Sequence, residues 1–264
     1  RESPGSWRAV WAALGIASAP AVLVFVQPDL GTSIIFGVIV LAILVVAGAR
    51  PSQILLLVGA AASAVALVLV VLPRAGVSVL KAYQVARLTS FLDPAADSSG
   101  AAYQQTQAKI AIGSGGVEGA GASAAQSVVD FLPEHHTDFI FAVVGQQRGF
   151  IGSALLLALY VVVVWRAIRA VAVARSLYES LLAAGLTAML VGQIFVNVGM
   201  TMGIAPITGI PLPFMTYGGS NTLTNLGAVG LLLGEAPAVH SGVRPPQRRF
   251  RIGTRKVVTV SGTC

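Results

Sequence analysis

Four side chains that could move protons or bind metal ions stand close together in a chain that carries little charge. The stretch "FLPEHHTDFIFAVVGQQRG" at residues 131–149 contains Glu134, His135, His136 and Asp138, whereas only 10% of all residues are charged. Carboxylates serve as general bases and as ligands of divalent cations. Adjacent histidines rarely converge on one ion, so no zinc site is predicted here, and we expect His135 to be solvated.

The composition indicates the class of protein to which these side chains belong. Of the 264 residues, 55% are hydrophobic, and the mean hydropathy is +0.81. Both values lie outside the range of soluble globular domains, so the sequence predicts a membrane protein. Its single cysteine, Cys264, excludes an intrachain disulfide and a cysteine-based zinc site.

A search for stretches of about 20 apolar residues, the length that crosses roughly 30 Å of hydrocarbon, predicts about six transmembrane helices. The expected spans are residues 9–26, 30–49, 54–73, 149–165, 180–199 and 212–234. The last is the weakest, because its apolar part is short and is extended by the preceding "PLPFMTYGGSN". The predicted fold class is an all-α polytopic membrane protein, one domain over residues 1–264, with one large extracytoplasmic loop at residues 74–148.

The distribution of charge supports this topology, because Lys and Arg near span ends accumulate on the cytoplasmic side. Six spans place both termini on one side, together with most of the arginines and the basic tail at residues 236–264. Seven of the ten acidic residues fall on the other side: Asp29, Asp93, Asp97, Glu118, Asp130, Glu134 and Asp138. The tail then serves cytoplasmic retention and attraction to anionic lipid, and no nucleic-acid partner is predicted.

The predicted loop contains the only stretch large enough to build a site. Its glycine run, "AIGSGGVEGAGAS", has Glu118 where a nucleotide-binding G-x-G-x-x-G pattern needs its third glycine, and no strand precedes it. We expect short helices that lie over the spans. Asp138 should stand where the loop turns into a helix, with Thr137 as the N-cap, and a helix N-terminus favours the ionised carboxylate. Asp29 is expected to cap the following helix.

Five separated motifs carry a resemblance to a known family. They are "VQPDLGTS" (26–33), "ARLTSFLDPAAD" (86–97), "YQQTQAKIAIGSGG" (103–116), "FLPEHHTDFIFAVVG" (131–145) and "VNVGMTMGIAPITGIPLPFMTYGGSN" (196–221). Together they resemble the SEDS family (shape, elongation, division, sporulation), and within it the RodA-like branch. Family members have ten spans, of which this chain resembles the last six. It departs from the family pattern at Gln146 and Gln147, where acidic residues are common.

The resemblance implies a peptidoglycan glycosyltransferase that polymerises lipid II at the outer face of the bacterial cytoplasmic membrane. The expected partners are lipid II, membrane lipids and a class B penicillin-binding protein, and a divalent cation, Mg or Mn, is the implied cofactor. The "GIPLPFMTYGGS" motif favours a role in cell elongation.

The family motifs also imply roles for particular residues. Asp138 matches the catalytic position and becomes the expected general base and metal ligand. Arg87 and Lys109 are candidates for the substrate's pyrophosphate or for compensating the charge of Asp138, with a solvated loop cation as the alternative for each. The other expected substrate-binding residues are Glu134, His136, Tyr217 and Ser220. A role in shaping the loop explains Glu134 and His136 equally well. Helix packing explains Tyr217 and Ser220 equally well.

Two other functions remain open at this stage. A lipid II flippase would also span the membrane many times, but it should carry several charges within its spans, and spans two, three and five contain none. A non-catalytic membrane scaffold would hold a partner, and its outer acidic residues should then be individually dispensable.

Overall fold

The computed structural model describes residues 6–27, 29–74, 100–121 and 138–235. The regular structure of these residues is entirely helical. The helices are α1, Trp7–Val26; α2, Leu30–Val46; α3, Pro51–Ala66; α4, Ala101–Ser114; α5, Ile140–Val173; α6, Leu177–Met202; and α7, Gly219–Glu235. After α3 the chain continues through a π-helical turn, Leu67–Val71, and a last α-helical turn, Leu72–Arg74.

Two helices are long and apolar enough to cross a membrane. These are α5, with a mean hydropathy of 2.1, and α6, with 1.9, each in its most apolar window. Shorter apolar helices cover Val10–Val24, Gly31–Val46 and Pro51–Ala66. The described residues are thus helical, and their apolar helices are consistent with the membrane protein that the composition predicts. The segment before α7 is not helical from residue 203 to residue 218, so the expected span at 212–234 is helical only from Gly219 onward.

Local sequence sets several helix ends. Asp29 caps α2 as expected, because its Oδ1 accepts a hydrogen bond from Thr32 N at 3.0 Å and its Oδ2 accepts one from the Thr32 hydroxyl at 2.6 Å. Ser176 and Glu179 form a capping box at the start of α6. Gly203 ends α6 with a φ of 81°, a left-handed conformation that glycine adopts without steric strain.

Helices α2, α5 and α6 form the packed centre of the protein. Small residues of α6 allow its neighbour to approach closely: a Cβ atom on Gly192 would lie 2.8 Å from Ile35 Cδ1, and one on Gly185 would lie 3.3 Å from Ile43 Cδ1. Small residues at helix contacts are typical of membrane proteins, where close packing rather than exclusion of water favours helix association.

A sharp break divides α5 at Gly149, which has a φ of 63° and a ψ of −161°. The turn after α4, at residues 115–120, docks into this break through the backbone. Phe150 N donates to Gly116 O at 2.9 Å, Ile151 N donates to Val117 O at 3.2 Å, and Ala120 N donates to Gln146 O at 2.9 Å. These bonds replace helical bonds that the break removes, and they fix α4 against α5 on both sides of Gly149.

Only glycine fits at the centre of this backbone junction. A Cβ atom on Gly149 would overlap Gly119 N and lie 2.5 Å from Val117 O, and φ is positive there. Cβ atoms on Gly115 and Gly119 would overlap the carbonyl oxygens of Gly145 and Gln147, respectively. The glycine run, which does not match a nucleotide-binding loop, therefore allows the turn after α4 to pack closely against α5.

We expect Gly149→Ala to destabilise the protein by roughly 2 kcal/mol or more, because the added methyl group must displace backbone that is itself hydrogen-bonded. Gly59→Ala is the control, since a Cβ there meets nothing within 4 Å, and alanine is the better helix former. Thermal unfolding in detergent, followed by circular dichroism, measures both. Equal unfolding midpoints for the two variants would contradict this account of the junction.

Candidate functional site

Asp138 stands two residues before α5, as the sequence predicts for a residue at a helix start. The N-cap is Phe139 and not Thr137, and it makes no side-chain capping bond. Phe139 is instead a core residue, 1% exposed, and it packs with Ala108, Ala111, Ala142 and Ile207. The start of α5 is thus fixed by an apolar anchor, which leaves the half-buried Asp138 at the edge of the core.

The carboxylate of Asp138 lies against Gly209, in the non-helical segment that follows α6. A Cβ atom on Gly209 would come within 3.3 Å of Asp138 Oδ2. Gly209 has a φ of 76°, a left-handed conformation that favours glycine. Its lack of a side chain also leaves room for the Asp138 carboxylate. We refer to residues 203–212 as the post-α6 segment.

The same segment also supports Lys109. A Cβ atom on Gly203 would lie 3.3 Å from Lys109 Cδ and 3.4 Å from Lys109 Nζ. The lysine comes from α4 and the aspartate from the start of α5, yet both side chains rest on glycines of one short segment. An acid and an amine, which the sequence separates, are therefore held on a common support.

Two buried side-chain amides fix the post-α6 segment. Gln105, 4% exposed, donates through Nε2 to Met200 O at 2.9 Å and to Ala205 O at 3.0 Å. Asn197, 0% exposed, donates through Nδ2 to Asp138 O at 2.9 Å and to Ile210 O at 2.8 Å. Each amide thus bonds to two backbone carbonyl groups, and one of each pair, Ala205 O or Ile210 O, belongs to the non-helical segment.

The start of α2 closes another side of the segment. A Cβ atom on Gly31 would lie 2.8 Å from Thr208 O and 2.9 Å from Ile210 Cγ1. Ile210 in turn packs with Ile35 and Val196. The segment is therefore held from α2, α4 and α6 at once, and its two glycines cannot move without disturbing these contacts.

Several expected site residues cannot be placed in this arrangement. Arg87, Glu134 and His136 lie outside the described residues. Tyr217 is 88% exposed. Ser220 lies in the first turn of α7, where its carbonyl oxygen accepts a bond from the Thr224 hydroxyl. Neither of these last two side chains is held by the amides that fix Asp138, and their substrate-binding role stays a prediction.

The sequence reasoning missed the two amides, although both lie in motifs that it singled out. Asn197 gave a usable signal, because a lone amide in the apolar run "IFVNVGM" is expected to face a protein interior rather than lipid. Gln105 gave no such signal, because three glutamines stand close together in "YQQTQ" and the sequence does not indicate which of them is buried. Gln146, one of the two departures from the family pattern, is 1% exposed, and its Oε1 has no partner.

The described residues offer few ligands for a divalent cation. Within them, no three His, Cys, Asp or Glu side chains are grouped as a metal cage would require. A single carboxylate at the edge of the core suits Mg²⁺, which keeps several waters and takes further ligands from substrate phosphates. Among the described residues of this site, Asp138 is the one that would supply a carboxylate to such an ion.

The helices and this site define a helical protein with long apolar helices, in which a carboxylate and an amine lie against glycines of one non-helical segment. Its sequence matches the model of the FtsW/RodA/SpoVE family, described as "Cell cycle protein", over residues 1–237. The chain belongs to this family, which confirms the resemblance drawn from its motifs.

Relatives within the family are named for cell-wall synthesis and sporulation. The chain is 39% identical over 231 residues to the peptidoglycan glycosyltransferase MrdB of Escherichia coli (strain K12), covering 87% of this chain and 60% of MrdB. It is 38% identical over 221 residues to stage V sporulation protein E of Bacillus subtilis (strain 168), covering 84% of this chain and 58% of that protein.

A solved structure shares the fold. It is a chain from a peptidoglycan synthase complex that coordinates polymerization and crosslinking. The TM-score is 0.68 at 30% sequence identity, and the match covers 84% of this chain and 59% of that chain. This chain thus spans about three fifths of the length of these related proteins.

Proposed function

We propose that the protein is a peptidoglycan glycosyltransferase that polymerises lipid II into glycan strands. One observation carries the proposal: Asp138 and Lys109, from different helices, rest on Gly209 and Gly203 of the same segment. Transfer of a sugar from a lipid pyrophosphate requires a base for the attacking hydroxyl and positive charge for the leaving group. Asp138, against Gly209, is suited to act as the base, and Lys109, against Gly203, is suited to supply the positive charge.

In the proposed reaction, Asp138 accepts the proton of the acceptor sugar's hydroxyl group. The hydroxyl oxygen forms a bond to the anomeric carbon of the donor as the bond from that carbon to the lipid pyrophosphate breaks. Lys109 compensates the negative charge that develops on the departing pyrophosphate. A Mg²⁺ or Mn²⁺ ion bound at Asp138 would supply additional positive charge to the phosphates.

The proposed setting is the bacterial cytoplasmic membrane, crossed six times by this chain, with both termini in the cytoplasm and the site outside. The basic residues Arg166, Arg169 and Arg175 near the end of α5 support this orientation. Arg169 also stacks over the ring of Trp165 at 4.1 Å, a pair suited to the interface between membrane and water. Membrane lipids would cover the exposed apolar faces of α5.

The proposed protein partner is a class B penicillin-binding protein, and the proposed process is cell elongation. The first proposal is supported by the solved relative, which comes from a complex that joins polymerization to crosslinking. The second is supported by the RodA-like motif "GIPLPFMTYGGS" and by the similarity to MrdB.

Asp138→Asn should reduce glycan synthesis from purified lipid II at least 10²-fold, the order expected for loss of a general base. The substitution keeps size and shape but removes the charge. It is to be measured on the protein as its host cell makes it, together with its partner. Glu118→Gln is the matched control, because Glu118 is exposed in the turn after α4, and it should retain most activity. Polymerisation by Asp138→Asn at the parental rate would favour the scaffold function instead.

Lys109→Gln should slow polymerisation by roughly 10²-fold, as removal of a group that stabilises transition-state charge does. Membrane insertion and thermal stability should be unchanged, because the Lys109 side chain is exposed. Arg148→Gln, which removes another exposed cation, is the control and should leave the rate intact. An unchanged rate for Lys109→Gln would identify Lys109 as a solvated cation.

The six-span topology predicts that a reporter fused after Arg175 is cytoplasmic and that one inserted near Ser98 is external. Alkaline phosphatase and fluorescent-protein fusions distinguish the two sides. If both positions lie on the same side, the proposed topology is wrong, and an external site at Asp138 is wrong with it.

A further inference from the structure

Asn197 joins the candidate base to its support through one amide group. The residue lies in α6 and is 0% exposed. Its Nδ2 donates to Asp138 O at 2.9 Å and to Ile210 O at 2.8 Å. Ile210 follows Gly209, the residue against which the Asp138 carboxylate lies. One side chain therefore contacts both the backbone that carries the carboxylate and the backbone beneath it.

The geometry of a primary amide makes this contact rigid. The two N–H bonds of Nδ2 lie in one plane and diverge by about 120°, so two acceptors bonded to them are held about 5 Å apart. Rotation of the amide would break both hydrogen bonds. The distance between the Asp138 backbone and the post-α6 segment is thus set by a fixed covalent group.

The same amide is unfavourable in one respect. Among the described residues, its buried Oδ1 has no hydrogen-bond partner, which is a costly condition for a polar atom in an apolar interior. A leucine, which has the same branched shape but is larger, would avoid that cost but could not donate. The two hydrogen bonds that Nδ2 donates, rather than packing, therefore explain why an amide occupies this position.

We propose that Asn197 is a positioning residue of the glycosyl transfer reaction: it fixes the Asp138 carboxylate over Gly209 so that the base meets the acceptor hydroxyl. This inference rests on the proposed function. Asn197 does not touch the substrate, and it acts only through the placement of Asp138. Small displacements of a reacting group suffice to lower rates, since about 1 Å of misplacement can cost 10²-fold.

The neighbouring helix provides a matched control. Asn225 in α7 is also 0% exposed, and its Oδ1 is likewise unpaired. Its Nδ2, however, donates only within its own helix, to Asn221 O at 3.0 Å and to Asn221 Oδ1 at 2.7 Å. Replacing Asn225 removes a buried amide without touching the connection to Asp138.

The experiment compares Asn197→Leu, Asn197→Asp and Asn225→Leu in the protein as its host cell makes it, with its partner present. For each variant, kcat and KM for lipid II are measured together with the thermal unfolding midpoint. We expect kcat to fall by roughly 10-fold to 10²-fold in both Asn197 variants, with KM changed less than about threefold. Asn225→Leu should lower the unfolding midpoint as Asn197→Leu does, yet keep the parental kcat per folded molecule.

Two results would overturn the inference. One is a parental kcat in Asn197→Asp, which preserves the shape of the side chain but loses the donors. The other is an equal loss of kcat in Asn197→Leu and Asn225→Leu, which would show a general effect of buried-amide removal. If Asn197→Leu does not fold, the kcat of Asn197→Asp decides. Failure of the proposed function itself would be recognised separately, by full activity of Asp138→Asn.

Discussion

The structure depends on the pairing of backbone carbonyl groups in a buried segment that has no helix to pair them. Ile207, Thr208, Ile210 and Leu212 are all at most 8% exposed, although the chain is not helical there. Irregular backbone at membrane depth is tolerated only where protein groups satisfy it. Gln105 of α4 donates to Ala205 O and Asn197 of α6 donates to Ile210 O, while the Thr216 hydroxyl accepts a bond from Leu212 N at 2.7 Å.

This pairing requirement also explains how the site is assembled. The side chains that satisfy the segment come from α4 and α6, so both helices must be in place before the segment can adopt its path. The docking of residues 115–120 into the break at Gly149 secures α4 against α5, and it thereby brings Lys109 toward the segment that supports Asp138. The helix contacts and the site therefore depend on the same set of interactions.

Sequence patterns predicted the features that depend on local composition. Apolar runs indicated the helices, the Asp29 cap followed from its place before α2, and Asp138 was expected at the start of a helix. The patterns failed where partners are distant in sequence. Gln105 bonds to Ala205 across 100 positions, and nothing in the residues around either one indicates the contact. The N-cap at Phe139 was missed for a similar reason, because its apolar anchoring by α4 is a tertiary contact.

The break at Gly149 also has a mechanical consequence. An unbroken transmembrane helix transmits tilt along its whole length, and bilayers of different thickness impose different tilts on their helices. At Gly149 the helical hydrogen-bond ladder of α5 is interrupted, and the turn after α4 is bonded to both sides of the break, to Gln146 O before it and to Phe150 N and Ile151 N after it. Because one turn is bonded to residues on both sides of Gly149, the two parts of α5 cannot change their relative tilt without breaking these bonds. A tilt imposed on one part of α5 would therefore be passed to the turn and to α4.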